Sequence, residues 1–118
     1  MINHKVKCAN FEIANNKSFT LIAGPCQLEN EQHALRISKE LKKITSDLKI
    51  NLIYKTSFDK ANRTSIKGQR GMGLEKSLSI FDKIRNEVGI PVLTDIHTAE
   101  QCSLVAPHVD VLQIPAFL

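Results

Sequence analysis

The sequence has 118 residues, with 16 Lys and Arg, 12 Asp and Glu, and a net charge of +4. This length fits one small domain, and a hydrophobic share of 42% is ordinary for a globular chain, so disorder is not expected. No apolar run approaches the ~20 residues that a membrane span needs, and the N-terminus lacks the apolar core of a signal peptide. We therefore expect no membrane span and no export.

The cysteine pattern excludes two further classes of protein. The three cysteines are widely spaced, and no Cys-x-x-Cys pair occurs, so neither a zinc finger nor a disulfide scaffold is indicated. A reducing cytoplasm is the simplest compartment for such a chain. Structural roles alone are expected for Cys8, Cys102, His4, His33 and His108.

The N-terminal segment, residues 1–18, alternates weakly between apolar and polar residues and contains the turn signal Asn15-Asn16. It predicts a hairpin or lid strand, separate from residues 19–118. Beyond it, compact apolar runs predict four buried strands. They cover residues 19–23, 50–54, 90–93 and 109–114.

Three helices are predicted between these strands. The first is capped by Asn30 and carries an apolar stripe at positions 34, 37, 41, 44 and 48. The second runs from Leu74 to Val88 and ends at Gly89, where a left-handed residue is wanted. The third starts at Thr98, which has capping-box spacing to Gln101, and is stopped by Pro107.

Strands that alternate with helices predict repeated right-handed β-α-β units and a parallel α/β sheet. Polar residues follow the carboxyl end of each predicted strand, and in parallel α/β folds ligands bind at that edge. A complete (β/α)8 barrel needs ~250 residues, so the sequence predicts half of a barrel with its first four strands. The polar groups are Cys26-Gln27, Lys55 to Arg70, Asp95 to His97, and Gln113.

The stretch from Lys55 to Arg70 holds five basic residues and one acid, and the rest of the chain is balanced in charge. Short hydrogen-bonding side chains lie between the cations, a combination that suits a small polyanion. Phe58 is its only aromatic residue, so a nucleic-acid partner is not favoured. The alternative interpretation is a solvated basic loop.

Five blocks of the sequence occur in an order that is typical of one enzyme family. The blocks are Ile22 to Cys26, Lys55 to Ser65, Arg70 to Glu75, Thr94 to His97, and Gln113 to Phe117. Together they resemble 3-deoxy-D-manno-octulosonate 8-phosphate synthase, also called 2-dehydro-3-deoxyphosphooctonate aldolase. The resemblance implies a (β/α)8 barrel, commonly tetrameric, that serves lipopolysaccharide synthesis. It implies a condensation in which C3 of phosphoenolpyruvate attacks the aldehyde of D-arabinose 5-phosphate, water adds at C2, and phosphate leaves by C–O cleavage.

The resemblance also implies roles for individual residues. Phosphoenolpyruvate would be held by Lys55, Ser57, Lys60 and Gln113. Asn62 and Asp95 would contact the sugar hydroxyls. Arg63 and Thr64 would bind the sugar phosphate, with Arg63 reaching in from a neighbouring subunit. Phe117 would lie near a subunit contact. The residues implied to be catalytic are Lys60, Asn62 and Asp95.

Cys26 divides the family. Members with Cys at this position require a divalent metal such as zinc, iron or manganese. The other ligands of that metal are a His, a Glu and an Asp, and they come from later strands that this sequence does not contain. A thiolate is a soft ligand suited to such a metal. Without the resemblance, the residue is more typical of a small buried hydrophobe than of a metal ligand. His97 at a strand end fits either a site residue or a structural histidine.

The chain departs from the family pattern at Lys67, where many members have His, and in the missing second half of the barrel. For that reason we expect the chain alone not to turn over substrate. One alternative is the related 3-deoxy-D-arabino-heptulosonate 7-phosphate synthase, which normally shows Lys-Pro-Arg-Thr where this chain has Lys60 to Thr64. The other is a non-catalytic half-barrel, which is expected to dimerise, aggregate or stay partly molten because its edges are exposed.

Overall fold

A computed structural model describes residues 2–59 and 73–117. Each predicted strand and helix is present among them, with shifted bounds. The strands are β1 (Val6–Cys8), β2 (Phe11–Ile13), β3 (Thr20–Ala23), β4 (Asn51–Lys55), β5 (Val92–Asp95) and β6 (Val111–Gln113). The helices are α1 (Glu31–Asp47), α2 (Leu74–Lys83) with a π-helical turn (Ile84–Val88), and α3 (Ala99–Val105) with a 3-10 turn (Ala106–His108).

Strands β3 to β6 form one parallel sheet in the order β3-β4-β5-β6, and β1 and β2 form an antiparallel hairpin. The predicted α/β class is therefore confirmed, as is the parallel sheet. A helix lies between each pair of consecutive strands along the chain, and parallel neighbours need a crossover connection of this kind.

The two faces of the sheet have different partners. Leu52 and Tyr54 of β4 and Val92 of β5 belong to the main core, which they share with the helices. Ile53 of β4 and Leu93 of β5, which alternate with them, belong to a second cluster on the opposite face. We call this opposite face the inner face. The alternation follows from the two-residue period of a strand.

The hairpin covers part of the inner face. Cys8, Phe11 and Ile13 pack with Ile53 and Leu93 in the second cluster. Burial in this apolar cluster raises the pKa of the Cys8 thiol, and the Asp110 carboxylate adds to the increase. The antiparallel hairpin predicted near the N-terminus is thus present as a cover on the sheet, while the division at residue 18 stays a prediction.

The buried face of α1 differs from the predicted stripe. Ile44 and Leu48 are 50% and 64% exposed, whereas Ser38 and Thr45 are buried. Both hydroxyls donate within the helix, Ser38 Oγ to Leu35 O at 3.1 Å and Thr45 Oγ1 to Leu41 O at 2.9 Å. These bonds satisfy the hydroxyls, so the helix can bury them without leaving a polar group unpaired.

The predicted caps have mixed outcomes. Asn30 caps α1, since its Oδ1 accepts from the His33 backbone N–H at 2.7 Å. Gly89 ends the π-helical turn with φ 76°, as predicted. The Thr98–Gln101 capping box is wrong, because Thr98 makes no side-chain cap bond and Gln101 Oε1 accepts from the His97 N–H at 2.7 Å. Pro107 lies inside the 3-10 turn that follows α3.

None of the described helices combines the length and apolar character needed to cross a bilayer.

Candidate functional site at the carboxyl edge of the sheet

Polar side chains from three neighbouring strands share the inner face at the carboxyl edge of the sheet. Lys55 follows Ile53 by two residues and therefore lies on the same side of β4. Asp95 and Gln113 end β5 and β6 and are partners in the register, each two residues after an inner-face residue, Leu93 or Val111. The edge thus presents a cation, a carboxylate and an amide side by side.

Asp95 is the centre of a hydrogen-bonded group. Oδ2 of Asp95 lies 2.8 Å from Nε2 of His97, and the two side chains are only 10% and 8% exposed. The Ser57 hydroxyl also donates to the Asp95 carboxylate. Ser57 is itself buried. Residues from the ends of β4 and β5 are therefore joined through one carboxylate.

These bonds decide the charge of Asp95. Burial raises the pKa of the carboxyl, but the hydrogen bonds from Ser57 and His97 outweigh it, and the pKa ends below its ordinary value. The carboxylate is ionised at neutral pH, since donors favour the charged form. Oδ1 of Asp95 and Nδ1 of His97 are buried and have no hydrogen-bond partner among the described residues. Such orphaned atoms in a built network are where a ligand's polar groups would fit.

His97 is held on two further sides. The Gln101 side chain accepts from its backbone N–H at 2.7 Å, and the Phe58 ring lies with its centroid 6.1 Å from the imidazole centroid. His97 is therefore hydrogen-bonded, as a structural histidine would be, and it also lies beside the predicted site, so both interpretations from the sequence stay open. The spacing of Gln101 from Thr98 predicted a capping role, whereas its side chain accepts from the backbone N–H of His97.

Next to the site, hydrogen bonds of two threonines join the ends of β4 and β5. The sequence alone did not indicate a role for either threonine. Thr94 Oγ1 donates to Thr56 O at 2.7 Å, and the Thr56 N–H donates to Leu93 O at 3.3 Å. Both threonines are fully buried. These contacts continue the pairing past the end of β4, which keeps Ser57 beside Asp95.

The segment after β3 runs beside the same edge. Gln27 pairs with Ser57 in parallel fashion, and the Leu28 N–H donates to Ser57 O at 2.9 Å. Cys26 directly precedes this pair and is exposed, so the interpretation as a small buried hydrophobe is wrong. Cys26 lies between the paired positions Ala23 and Gln27, in a segment that does not itself pair with β4 and is open to solvent.

A metal does not fit the chain's own donor set. Among residues 2–59 and 73–117, no three His, Cys, Asp or Glu side chains cluster so that they could hold an ion. Residues 60–72 contain none of these four residue types. Cys26 would therefore need ligands from outside this sequence.

The structure leaves part of the predicted site without a description. Lys60, Asn62, Arg63 and Thr64, together with Lys67, lie outside the described residues. Phe117, which follows β6, is described and is fully exposed. The described site residues that gather at the carboxyl edge are Lys55, Ser57, Asp95 and Gln113, with Cys26 on the adjoining segment.

Comparison with known proteins places the chain in a family. A sequence profile described as the DAHP synthetase I family matches residues 3–118. The chain belongs to this family. Within it, the chain is 58% identical over 116 residues to a protein of Brucella anthropi named 2-dehydro-3-deoxyphosphooctonate aldolase. Proteins of the same name from Mesorhizobium japonicum and Brucella ovis are 56% and 58% identical.

The match covers 98% of this chain and 42% of each of these relatives. The chain thus spans less than half of the length of the curated relatives that it matches. The resemblance to 2-dehydro-3-deoxyphosphooctonate aldolase, which was inferred from five sequence blocks, is confirmed by these relatives of that name.

Proposed function

We propose that this chain serves the synthesis of 3-deoxy-D-manno-octulosonate 8-phosphate from phosphoenolpyruvate and D-arabinose 5-phosphate. In this reaction C3 of phosphoenolpyruvate bonds to the aldehyde carbon of the sugar, water adds at C2, and phosphate leaves with its C–O bond broken. The observation that carries the proposal is the meeting of Lys55, Ser57, Asp95 and Gln113 at one edge, in a chain 58% identical to a named aldolase.

The basic residues would hold the anionic groups of phosphoenolpyruvate. No acidic side chain among residues 2–59 and 73–117 forms an ion pair with Lys55, so its charge is available to a ligand. A phosphate or carboxylate taken out of water needs such a cation and hydrogen-bond donors around it. Lys60 is proposed to add a second cation, and the Gln113 amide supplies a donor on the neighbouring strand.

Asp95 is proposed to act on the sugar. An ionised carboxylate only accepts hydrogen bonds, and with Oδ2 shared with His97 its buried Oδ1 is left for a hydroxyl of the substrate. Asn62 would support the same hydroxyls, and Arg63 and Thr64 would hold the sugar phosphate. A forked guanidinium matches phosphate oxygens in pairs.

The proposed architecture is part of a (β/α)8 barrel within a homo-oligomer, with a tetramer as the expected form. The parallel order β3-β4-β5-β6 with a crossover helix between successive strands supports it. So does the inner face, where Ile22 of β3 is 51% exposed and would become buried in a closed barrel. The exposed Phe117 ring is proposed to contact a second subunit.

Cys26 is proposed as one ligand of a divalent metal in a longer form of the protein. Its exposure beside Ser57 supports access to an ion, and the remaining ligands would come from outside this sequence. A cytoplasmic location is also proposed, since Cys8, Cys26 and Cys102 are all free thiols in the structure.

A second candidate is the related 3-deoxy-D-arabino-heptulosonate 7-phosphate synthase, because the matching family profile carries that name. It also condenses phosphoenolpyruvate with an aldose phosphate. The segment Lys60-Ala-Asn-Arg-Thr64 argues against it, since that enzyme normally shows Lys-Pro-Arg-Thr.

The test is phosphate release. This chain is combined with the remaining part of a relative such as the Brucella anthropi protein and incubated with phosphoenolpyruvate and either aldose phosphate. Phosphate release that requires arabinose 5-phosphate supports the first function, and release that requires erythrose 4-phosphate supports the second. Binding of phosphoenolpyruvate without release under either condition would favour a non-catalytic half-barrel.

A further inference from the structure

Gly24 lies where β3 leaves the sheet, and the backbone of Lys55 occupies the space that a side chain at position 24 would need. A β-carbon built at Gly24 would lie 1.8 Å from Lys55 O, 2.7 Å from Lys55 C and 3.0 Å from Lys55 N. All three atoms are backbone, so no side chain could move aside to make room. Any residue other than glycine at this position must push the end of β3 away from the end of β4.

The pairing around Gly24 shows what this contact accomplishes. Ala23 pairs with Tyr54, and the next pair is Gln27 with Ser57. Three residues lie between these positions on one segment and two on the other, so the Gly24–Cys26 segment carries one extra residue. A bulge of this kind re-aims the side chains that follow it, and bulges are enriched beside active sites.

We propose that Gly24 is a positioning residue that sets the separation between the Cys26 segment and the Lys55–Ser57 segment. The inference rests on the function proposed above, in which the Lys55–Ser57 segment faces phosphoenolpyruvate and Cys26 binds a divalent metal. Gly24 fixes one end of the bulge against Lys55, and the Leu28 N–H bond to Ser57 O fixes the other. Because the Gly24–Cys26 segment has one residue more than the segment it faces, Cys26 lies outside the strand pairing and beside the site.

The test compares Gly24→Ala with Gly89→Ala in the 118-residue chain. Gly89 has φ 76°, and a β-carbon there would meet only Lys42 Nζ at 3.6 Å, so its substitution strains the backbone far from the site. The readout is amide hydrogen exchange at Leu28, divided by exchange at Ile50, whose N–H donates to Thr45 O at the opposite end of the sheet. This ratio removes the effect of a general loss of stability.

We expect Gly24→Ala to raise the Leu28 to Ile50 exchange ratio about tenfold or more and to weaken phosphoenolpyruvate binding by a similar factor, since small displacements at a site have large effects. Gly89→Ala is expected to leave both unchanged. An unchanged ratio in Gly24→Ala, or an equal rise in Gly89→Ala, would overturn the inference. If wild type fails to bind phosphoenolpyruvate, the proposed function fails, while the exchange ratio still decides the role of Gly24.

A variant that does not fold in buffer is measured in sucrose, which favours the compact state. A refolded Gly24→Ala chain with the wild-type ratio would again overturn the inference. Pro25→Ala gives an independent check, because it keeps Gly24 against Lys55 and is expected to keep the wild-type ratio. A rise in Pro25→Ala as large as that expected for Gly24→Ala would assign control of the segment to the proline ring instead.

Discussion

The Nε2 atom of His97 lies 2.8 Å from Oδ2 of Asp95, at the point where β5 ends. With its proton on Nε2 the imidazole donates to the carboxylate, and the Ser57 hydroxyl donates to the same group. The carboxylate is therefore ionised, oriented and buried before any substrate arrives. Preorganised groups of this kind need no rearrangement when a ligand's hydroxyl approaches.

The lowered pKa of Asp95 predicts a dependence of stability on pH. Because the carboxyl binds its proton less readily in the folded chain, Asp95 contributes stability that is present above its ordinary pKa of 3.8 and is lost as the pH falls through the lower folded value. Urea unfolding between pH 5 and pH 2 measures this loss. The free energy of unfolding should fall less steeply below pH 4 in Asp95→Asn than in wild type. Parallel slopes for the two proteins would contradict the assignment.

Removing His97 should destabilise the chain. In His97→Ala, the buried Asp95 loses the hydrogen bond between Oδ2 and Nε2 of His97, and the contact with the Phe58 ring is lost. The expected decrease in the free energy of unfolding is about 1–3 kcal/mol. His33→Ala is the matched control, because the only ion-pair contact of the His33 side chain among residues 2–59 and 73–117 is with the largely exposed Glu29, at 3.9 Å. Equal losses in the two variants would show that the Asp95–His97 contact contributes little.

Tyr54→Phe should leave stability unchanged or increase it by up to about 1 kcal/mol. Burial raises the pKa of Tyr54, and its hydroxyl is buried with no hydrogen-bond partner among the described residues. Deleting an unpaired buried hydroxyl removes a desolvation cost without breaking a bond. Thermal unfolding of Tyr54→Phe measures the change, with Tyr54→Leu as a control that also removes ring packing. A loss above about 1 kcal/mol in Tyr54→Phe would reveal a partner for the hydroxyl.

Metal removal should not change the stability of the 118-residue chain. No cluster of three His, Cys, Asp or Glu side chains exists among the described residues, and residues 60–72 contain none of these four residue types. If the chain bound zinc, a free zinc concentration of a hundred times the dissociation constant would stabilise the fold by ~2.7 kcal/mol, so removal of the ion would be easy to detect. Melting curves with and without excess chelator make the test. A lower melting temperature in chelator would show that this chain holds a metal by itself.

The elements that sequence reasoning identified well are those decided by local chemistry. The apolar run that became β4, the Asn30 cap and the Gly89 terminus each depend on a few adjacent residues. The polar groups at strand ends were predicted to share an edge, because parallel strands all end on the same side. Asp95 and Gln113 do so as partners in the register.

Other features depend on contacts between distant segments. Thr45 is buried in place of Ile44 because of how α1 rotates onto the sheet, a property that the apolar period alone does not determine. Gln101 accepts from the backbone N–H of His97, one residue before the Thr98 that its spacing predicted, and the spacing alone cannot distinguish the two donors. The need for glycine at position 24 appears only once Lys55 is seen against it, and this depends on the register between β3 and β4.

Residue-resolved titration of the 118-residue chain with phosphoenolpyruvate tests most directly whether the carboxyl edge of the sheet is the binding site. Amide chemical shifts should move at Lys55, Ser57, Asp95 and Gln113, and they should stay fixed on the β1–β2 hairpin, which packs on Ile53 and Leu93 before the strands end. Lys55→Met, which removes the cation and keeps a long apolar stem, should reduce these shifts. Shifts absent from the carboxyl edge, or confined to the hairpin, would contradict the proposed function.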